Sequence, residues 1–301
     1  MCGIGGIYNP SGREFPTSEA STLWEALSDR GTHASGVSWL WDSSDEPCIW
    51  KGGVSSKVAV QNGVMDKVGT FTRYAFMHTR FTTQGSIKRN GNNHPVVRDD
   101  IILTHNGVIR DAEVFSHFGV NRKYEVDTEA IIIGLRLGGI EWVADNIQGS
   151  MSLAWVDCTI DRTQINLFTN GRNPLVIGRT KSGLIVWASN LYHLDGFDLE
   201  SHFNATPFKH YVIHATGMIT SRFVSDERVA PTVITPYSSV NAWGSYSLGD
   251  DEEVESPTLA SKKAEKVPSR GRKLIEGGYV YDEESKSWRR ATLADYSKGA
   301  F

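Results

Sequence analysis

Strand-like apolar runs come in groups in this chain, and helical stretches come between those groups in pairs, without the regular strand–helix–strand alternation of a doubly wound parallel sheet. Elements distributed this way bury their apolar faces by stacking whole sheet and helix layers. The strand-like segments are Ile4 to Tyr8, Val37 to Trp41, Tyr74 to His78, Ile101 to His105, Met151 to Asp157, Gln164 to Thr169, Leu175 to Gly178 and Leu184 to Ala188. Ser18 to Asp29 carries Leu23 and Leu27 at i,i+4 and reads as a helix, with Ser18 placed to cap it. Asp127 to Leu137 reads as a helix closed by Gly138-Gly139, and Ile140 to Ile147 as a second. Asn106-Gly107, after Ile101 to His105, is a turn signal. No GxGxxG comes after a strand, which argues against a dinucleotide-binding fold.

Charge and composition exclude several function classes. Lys plus Arg is 31 against 35 for Asp plus Glu, a net charge of −4, so the basic stripe of a general nucleic-acid binder is missing. No apolar run reaches the length of a membrane span, and the start, Met1-Cys2-Gly3-Ile4, lacks the basic and apolar regions of a secretory signal. Three cysteines, Cys2, Cys48 and Cys158, do not make a disulfide framework, which places the protein in a reducing cytoplasm. His202, His210 and His214 have some helical spacing, but no carboxylate or cysteine completes a set, and no metal or cofactor is expected.

Near residue 236 the composition changes. An acidic block, Asp250-Asp251-Glu252-Glu253-Val254-Glu255, precedes a stretch richer in Lys and Arg from Lys262 to Lys273. The expected organisation is one domain over 1–235 and a charged, largely disordered tail over 236–301. Within that tail, Tyr279, Val280, Tyr281 and Trp288 offer apolar surface for a short ordered piece at 277–290.

Cys2 is the residue with the most chemistry to offer. If Met1 is removed, it carries a thiol and a free α-amine, and an α-amine titrating near 8 can take the thiol proton. The alternative is a small buried hydrophobe. The company it keeps decides between them. Downstream come Arg30-Gly31-Thr32-His33-Ala34-Ser35-Gly36, then His78-Thr79-Arg80-Phe81-Thr82-Thr83-Gln84-Gly85, then Asn93-His94-Pro95. Next are Thr104-His105-Asn106-Gly107-Val108-Ile109 and Glu125-Val126-Asp127-Thr128-Glu129, and Asn173-Pro174-Leu175-Val176-Ile177-Gly178 and Ala188-Ser189-Asn190 continue the series.

In order and spacing these motifs resemble the class II glutamine amidotransferases, N-terminal nucleophile hydrolases, over about residues 2–225. Within that family the likeness runs nearest to the glutaminase half of glucosamine-6-phosphate synthase. The resemblance implies an α+β fold, a four-layer αββα sandwich. It implies that Cys2 attacks the side-chain amide of glutamine to form a thioester, with Asn106 Nδ2 and the Gly107 N–H as oxyanion hole. Arg80 would hold the α-carboxylate, Asp127 the α-ammonium, and Thr83 and His94 would lie in the substrate loops. A helix cap is the competing role for Asp127. The motifs also depart from that synthase: His33 stands where it has Asp, Phe81 where it has Trp, and Gln84 where it has His. These changes bear on how the substrate loop closes.

The segment after residue 235 is too short for a domain that would consume the ammonia. Three readings remain: a glutaminase passing ammonia to a separate synthase, an amidohydrolase acting on another γ-glutamyl amide, or a non-catalytic binding module. The intact set of Cys2, Arg80, Asn106, Gly107 and Asp127 argues against the third.

Overall fold

The structure is a computed structural model that describes residues 1–110, 114–115 and 120–224, with three short strands further on. Its elements in chain order are β1 (Gly3–Tyr8), α1 (Thr17–Ala26), β2 (Ala34–Trp41), β3 (Cys48–Gly52), α2 (Ser56–Gln61), α3 (Val64–Val68) and β4 (Thr72–Arg80). Then come β5 (Val96–Arg98), β6 (Ile101–Arg110), α4 (Thr128–Asn146), β7 (Gln148–Asp157), β8 (Ile165–Thr169), β9 (Val176–Thr180) and β10 (Ile185–Ala188). The domain closes with β11 (Leu199–Asn204), β12 (Lys209–Ile213) and β13 (Ile219–Phe223).

The strands form two antiparallel sheets: a seven-stranded one in the order β11-β9-β10-β1-β4-β2-β3, and a six-stranded one in the order β13-β12-β8-β7-β6-β5. Side chains alternate faces along a strand, and three apolar clusters show where each face goes. Ile4, Tyr8, Tyr74, Phe76, Ile102, Ala154, Leu167 and Trp187 meet between the sheets. The opposite-parity residues Ile7, Ala75, Met77, Val186 and Ala188 pack outward on Leu23, Trp24 and Leu27 of the α1 segment. On the far side Leu103, Met151, Leu153 and Trp155 pack on Ala130, Ile131 and Ile132 of α4. The result is helix, sheet, sheet, helix, the expected layering.

Several local expectations are corrected. Ser18 does not cap α1: the helix begins at Thr17 after Pro16, with no side-chain cap, and turns to a 3-10 turn over Leu27–Asp29. Asn106-Gly107 is not a turn, because β6 runs through it and stays paired with β7 from Ile101 to Arg110. The helix expected to close at Gly138-Gly139 does so, since both residues leave helical dihedrals there before the second segment resumes. His202 and His210 lie on strands of different sheets and His214 comes just after β12, so their helical spacing places nothing together.

The proposed boundary at 236 and the charged blocks lie outside the described residues. β14 (Ile275–Glu276) lies just before the expected 277–290 piece; inside it β15 (Tyr279–Asp282) pairs antiparallel with β14 at one edge and with β16 (Ser287–Arg290) at the other. Among the described residues no helix is long and apolar enough to cross a membrane.

Candidate active site

The strand parity that builds the inter-sheet core also aims the site residues. In β1 the inward positions are Ile4 and Tyr8, so Cys2 continues the inward series at the strand's start. In β4, Tyr74 and Phe76 face inward, and the same parity carries His78 and Arg80. In β6, Ile102 faces inward, and so by parity does Asn106. Gly3 pairs with Thr79 in register, which sets Cys2 beside the end of β4. The motif residues therefore gather at one mouth of the space between the sheets.

Cys2 is half-buried. Its thiol donates to the Phe81 carbonyl at 3.7 Å, and its own carbonyl accepts from Arg30 Nε at 2.8 Å. Burial pushes the thiol pKa up, the Arg80 guanidinium pulls it down, and the Asp127 carboxylate adds to the rise, so both charges act on the sulfur.

Asn106 is completely buried, and among the described residues neither its side-chain nitrogen nor its oxygen has a hydrogen-bond partner. An unpaired buried amide costs on the order of 1–3 kcal/mol, and this one, on the inward face of β6, is free to meet a ligand group at the inter-sheet mouth. Its backbone carbonyl is fixed by Asn173 Nδ2 at 3.0 Å. Gly107 is glycine by necessity: at φ 155°, a Cβ there would lie 1.9 Å from the Ser150 carbonyl oxygen.

Arg80 is buried at the end of β4. Its Nη1 donates to Asn93 Oδ1 at 2.7 Å, and its Nη2 donates to the carbonyls of Gln84 and, at 2.9 Å, Gly85. Both Nη2 hydrogens are thus engaged by the loop after β4. Asp127 occupies the cap position of α4 but makes no side-chain cap; its Oδ2 accepts from the Ile109 N–H of β6 at 2.9 Å. The competing cap role is thereby set aside, and the carboxylate is held toward the strand that carries Asn106. Thr83 is exposed on the loop after β4. His94 is buried beneath the site, before the cis peptide to Pro95.

Three histidines form the floor. The rings of His78 and His94 stack with centroids 4.1 Å apart. His78 Nε2 meets the His105 carbonyl at 3.1 Å and His105 Nε2 meets the Ser150 carbonyl at 3.2 Å. A carbonyl only accepts, so both rings carry their hydrogen on Nε2. His105 Nδ1 is then an acceptor, and it takes the Thr128 hydroxyl at 3.2 Å. That leaves the Thr128 oxygen to accept from His94 Nε2 at 2.9 Å. Among the described residues the Nδ1 atoms of His78 and His94 are buried without partners, so a second proton finds no acceptor there. Burial correspondingly lowers all three pKa values, that of His78 to about 3.

Sequence reasoning gives no role to Lys51, Arg30 or Asn173. Lys51 Nζ donates to the carbonyls of Asn93 and Pro95, each at 2.9 Å, and burial, with Arg80 and Lys123 nearby, lowers its pKa to about 7. Arg30 and Asn173 lie within the ordered motifs, but their work is on backbone carbonyls, which no side-chain pattern announces. Among the described residues no group of His, Cys, Asp and Glu is arranged to hold a metal ion.

No family model matches the chain, and no curated protein matches it. Solved structures do. The chain is similar to a glutamine phosphoribosylpyrophosphate amidotransferase from B. subtilis, complexed with ADP and GMP: 75% of this chain and 50% of that one align, with TM-score 0.61 and 22% identity. A structure described as the allosteric regulatory enzyme of purine biosynthesis aligns over 75% of this chain and 49% of its own, with TM-score 0.62 and 19% identity. The chain thus shares the fold of these enzymes, with two facing sheets between helical layers, and spans about half the length of each.

Proposed function

We propose that this protein hydrolyses the side-chain amide of glutamine to glutamate and ammonia, with Cys2 as nucleophile, and passes the ammonia to a separate acceptor enzyme. The observation that carries the reading is the buried, unpartnered Asn106 amide at the same inter-sheet mouth as Cys2 and Arg80. Two fixed donors at a developing oxyanion are worth a few kcal/mol each when water is excluded.

Removal of Met1 frees the α-amine of Cys2. The amine takes the thiol proton and the sulfur adds to the amide carbon; the oxyanion rests on Asn106 Nδ2 and the Gly107 N–H. On collapse the carbon–nitrogen bond breaks, the departing nitrogen takes the proton back from the ammonium, and ammonia leaves a thioester. Water, deprotonated by the same amine, then displaces the sulfur and gives glutamate and the free thiol. Asp127 meets the α-ammonium, Arg80 the α-carboxylate, and Thr83 and the His94 segment border the substrate. His94 contributes through its backbone, because its ring is committed to His78 and Thr128.

A second reading, an amidohydrolase acting on another γ-glutamyl amide, draws on Arg80, whose Nη2 hydrogens are both engaged by loop carbonyls. The nearer kinship with the glutaminase half of glucosamine-6-phosphate synthase rests on the motifs alone. The deciding experiment measures ammonia and glutamate release by protein whose intact mass shows Met1 removed, beside Cys2→Ala. Release by the first and none by the folded variant is expected. Equal rates remove Cys2 from the mechanism.

A further inference from the structure

We propose that His33 is the positioning residue that holds the segment Arg80–Phe81–Thr82 against the Cys2 thiol. The inference rests on the glutaminase reading above for its kinetic part only.

After Arg80 the chain leaves the sheet, and its backbone donors leave the ladder with it. The 30–33 segment supplies what the ladder no longer does. The His33 N–H donates to the Arg80 carbonyl at 3.0 Å. The Thr82 N–H donates to His33 Nδ1, also at 3.0 Å. The His33 ring stacks on the Phe81 ring, with centroids 4.8 Å apart and planes 30° from parallel. One residue thus grips three consecutive residues, by its backbone, its ring nitrogen and its ring face.

The grip is close-fitting. At Gly31 a Cβ would lie 2.4 Å from both the Arg80 carbonyl carbon and the Phe81 nitrogen, so the two segments lie backbone to backbone. Between the gripped residues sits the Phe81 carbonyl, the acceptor of the Cys2 thiol. Because the Thr82 N–H is a donor, His33 Nδ1 must be an acceptor and the ring hydrogen must sit on Nε2. His33 touches no reacting atom; it acts through the peptide that orients the sulfur.

Three variants separate the parts of the grip. The oxygen of Asn occupies the place of Nδ1, so His33→Asn keeps the acceptor and loses the stacking. His33→Phe keeps a ring against Phe81 and loses the acceptor. His33→Ala loses both. Amide hydrogen exchange at Thr82 reads the bond directly: protection is expected in wild type and His33→Asn, and lost in His33→Phe and His33→Ala. Iodoacetamide alkylation of Cys2 reads the cover on the thiol and should quicken about threefold or more in the latter two. Glutaminase kinetics should show kcat down about tenfold in those two with KM changed far less, and largely rescued in His33→Asn.

If His33→Ala leaves Thr82 protection and Cys2 alkylation at wild-type values, the proposal is overturned. A kcat lowered equally in His33→Asn and His33→Ala also overturns the role assigned to Nδ1. If exchange and alkylation respond as expected while no form releases ammonia from glutamine, the positioning role stands and the glutaminase reading falls.

Discussion

Two histidines far apart in the fold should make it fail progressively between pH 6.5 and 4. Burial lowers the pKa of His78 to about 3, against a hydrogen bond to the His105 carbonyl that favours the charged ring. Burial lowers that of His210 to about 4. His210 lies in the outer face of the second sheet, its ring 5.2 Å from that of Trp155 and its Nε2 on Asn166 Oδ1. A pKa depressed on folding contributes stability that is present above the unfolded value, near 6.5, and is lost as pH falls toward the folded value. At pH 5 the unfolded chain binds a proton at each site and the folded one does not, which favours unfolding by about 2 kcal/mol per histidine. These two alone then remove about 4 kcal/mol relative to pH 7, a large share of the 5–15 kcal/mol typical of a domain, and the buried His94 and His105 of the site floor add to the loss. Carboxylates with ordinary pKa values titrate mostly below this window, so its upper part belongs to histidine. Urea unfolding at pH 7, 6 and 5 measures the loss from the midpoints at constant slope. His210→Gln, remote from the site, should recover its own share of about 2 kcal/mol. A wild-type loss under about 1 kcal/mol would show that these rings carry a proton in the folded state at little cost, and would refute the tautomer assignment of the site floor.

Removing the oxyanion donor by Asn106→Ala should lower kcat by about 10²–10³-fold with KM changed little, read by single-turnover thioester formation. Arg80→Lys and Asp127→Asn should each raise KM for glutamine severalfold or more, since a point charge replaces a fork in one and a neutral amide a carboxylate in the other. Near-normal steady-state kinetics in both would shift the substrate to a γ-glutamyl amide not held by its amino-acid head. Truncation after Pro236 should leave basal ammonia release intact and abolish recovery of a specific partner in a pull-down from native extract. A full-length chain that recovers no partner would favour a self-contained amidohydrolase.

The central strands are legible in the sequence because they are buried on both faces: the runs Ile4 to Tyr8 and Tyr74 to His78 lie within β1 and β4 at the middle of the seven-stranded sheet. Edge strands are not. In β11 every residue after Leu199 is exposed, so Leu199-Glu200-Ser201-His202-Phe203-Asn204 has no buried face to write into its pattern. β3 is short and interrupted by Lys51, whose burial depends on carbonyls of a loop more than forty residues later. Asn106-Gly107 misleads because the dipeptide favours tight turns; here the ladder to β7 overrides that preference, and the glycine answers the close approach of Ser150. The residues that gather at the inter-sheet mouth are visible in the sequence, since Cys2, Arg80, Asn106 and Asp127 sit in short ordered runs. The bond from Thr82 to His33 is not, because it spans 49 residues and exists only once β2 and β4 lie side by side.

β1 lies between β4 and β10, and the Ile4 N–H donates to Ser189 Oγ, a contact across 185 residues of chain. During synthesis at about 5–20 residues per second, the strand beside Cys2 waits some 10–40 seconds for that neighbour to be made. Through that interval one edge of an apolar, glycine-rich strand is open to any other strand that reaches it. β1 is therefore made long before one of its two neighbours, and the means by which its open edge stays unpaired during translation governs how much folded protein a cell obtains.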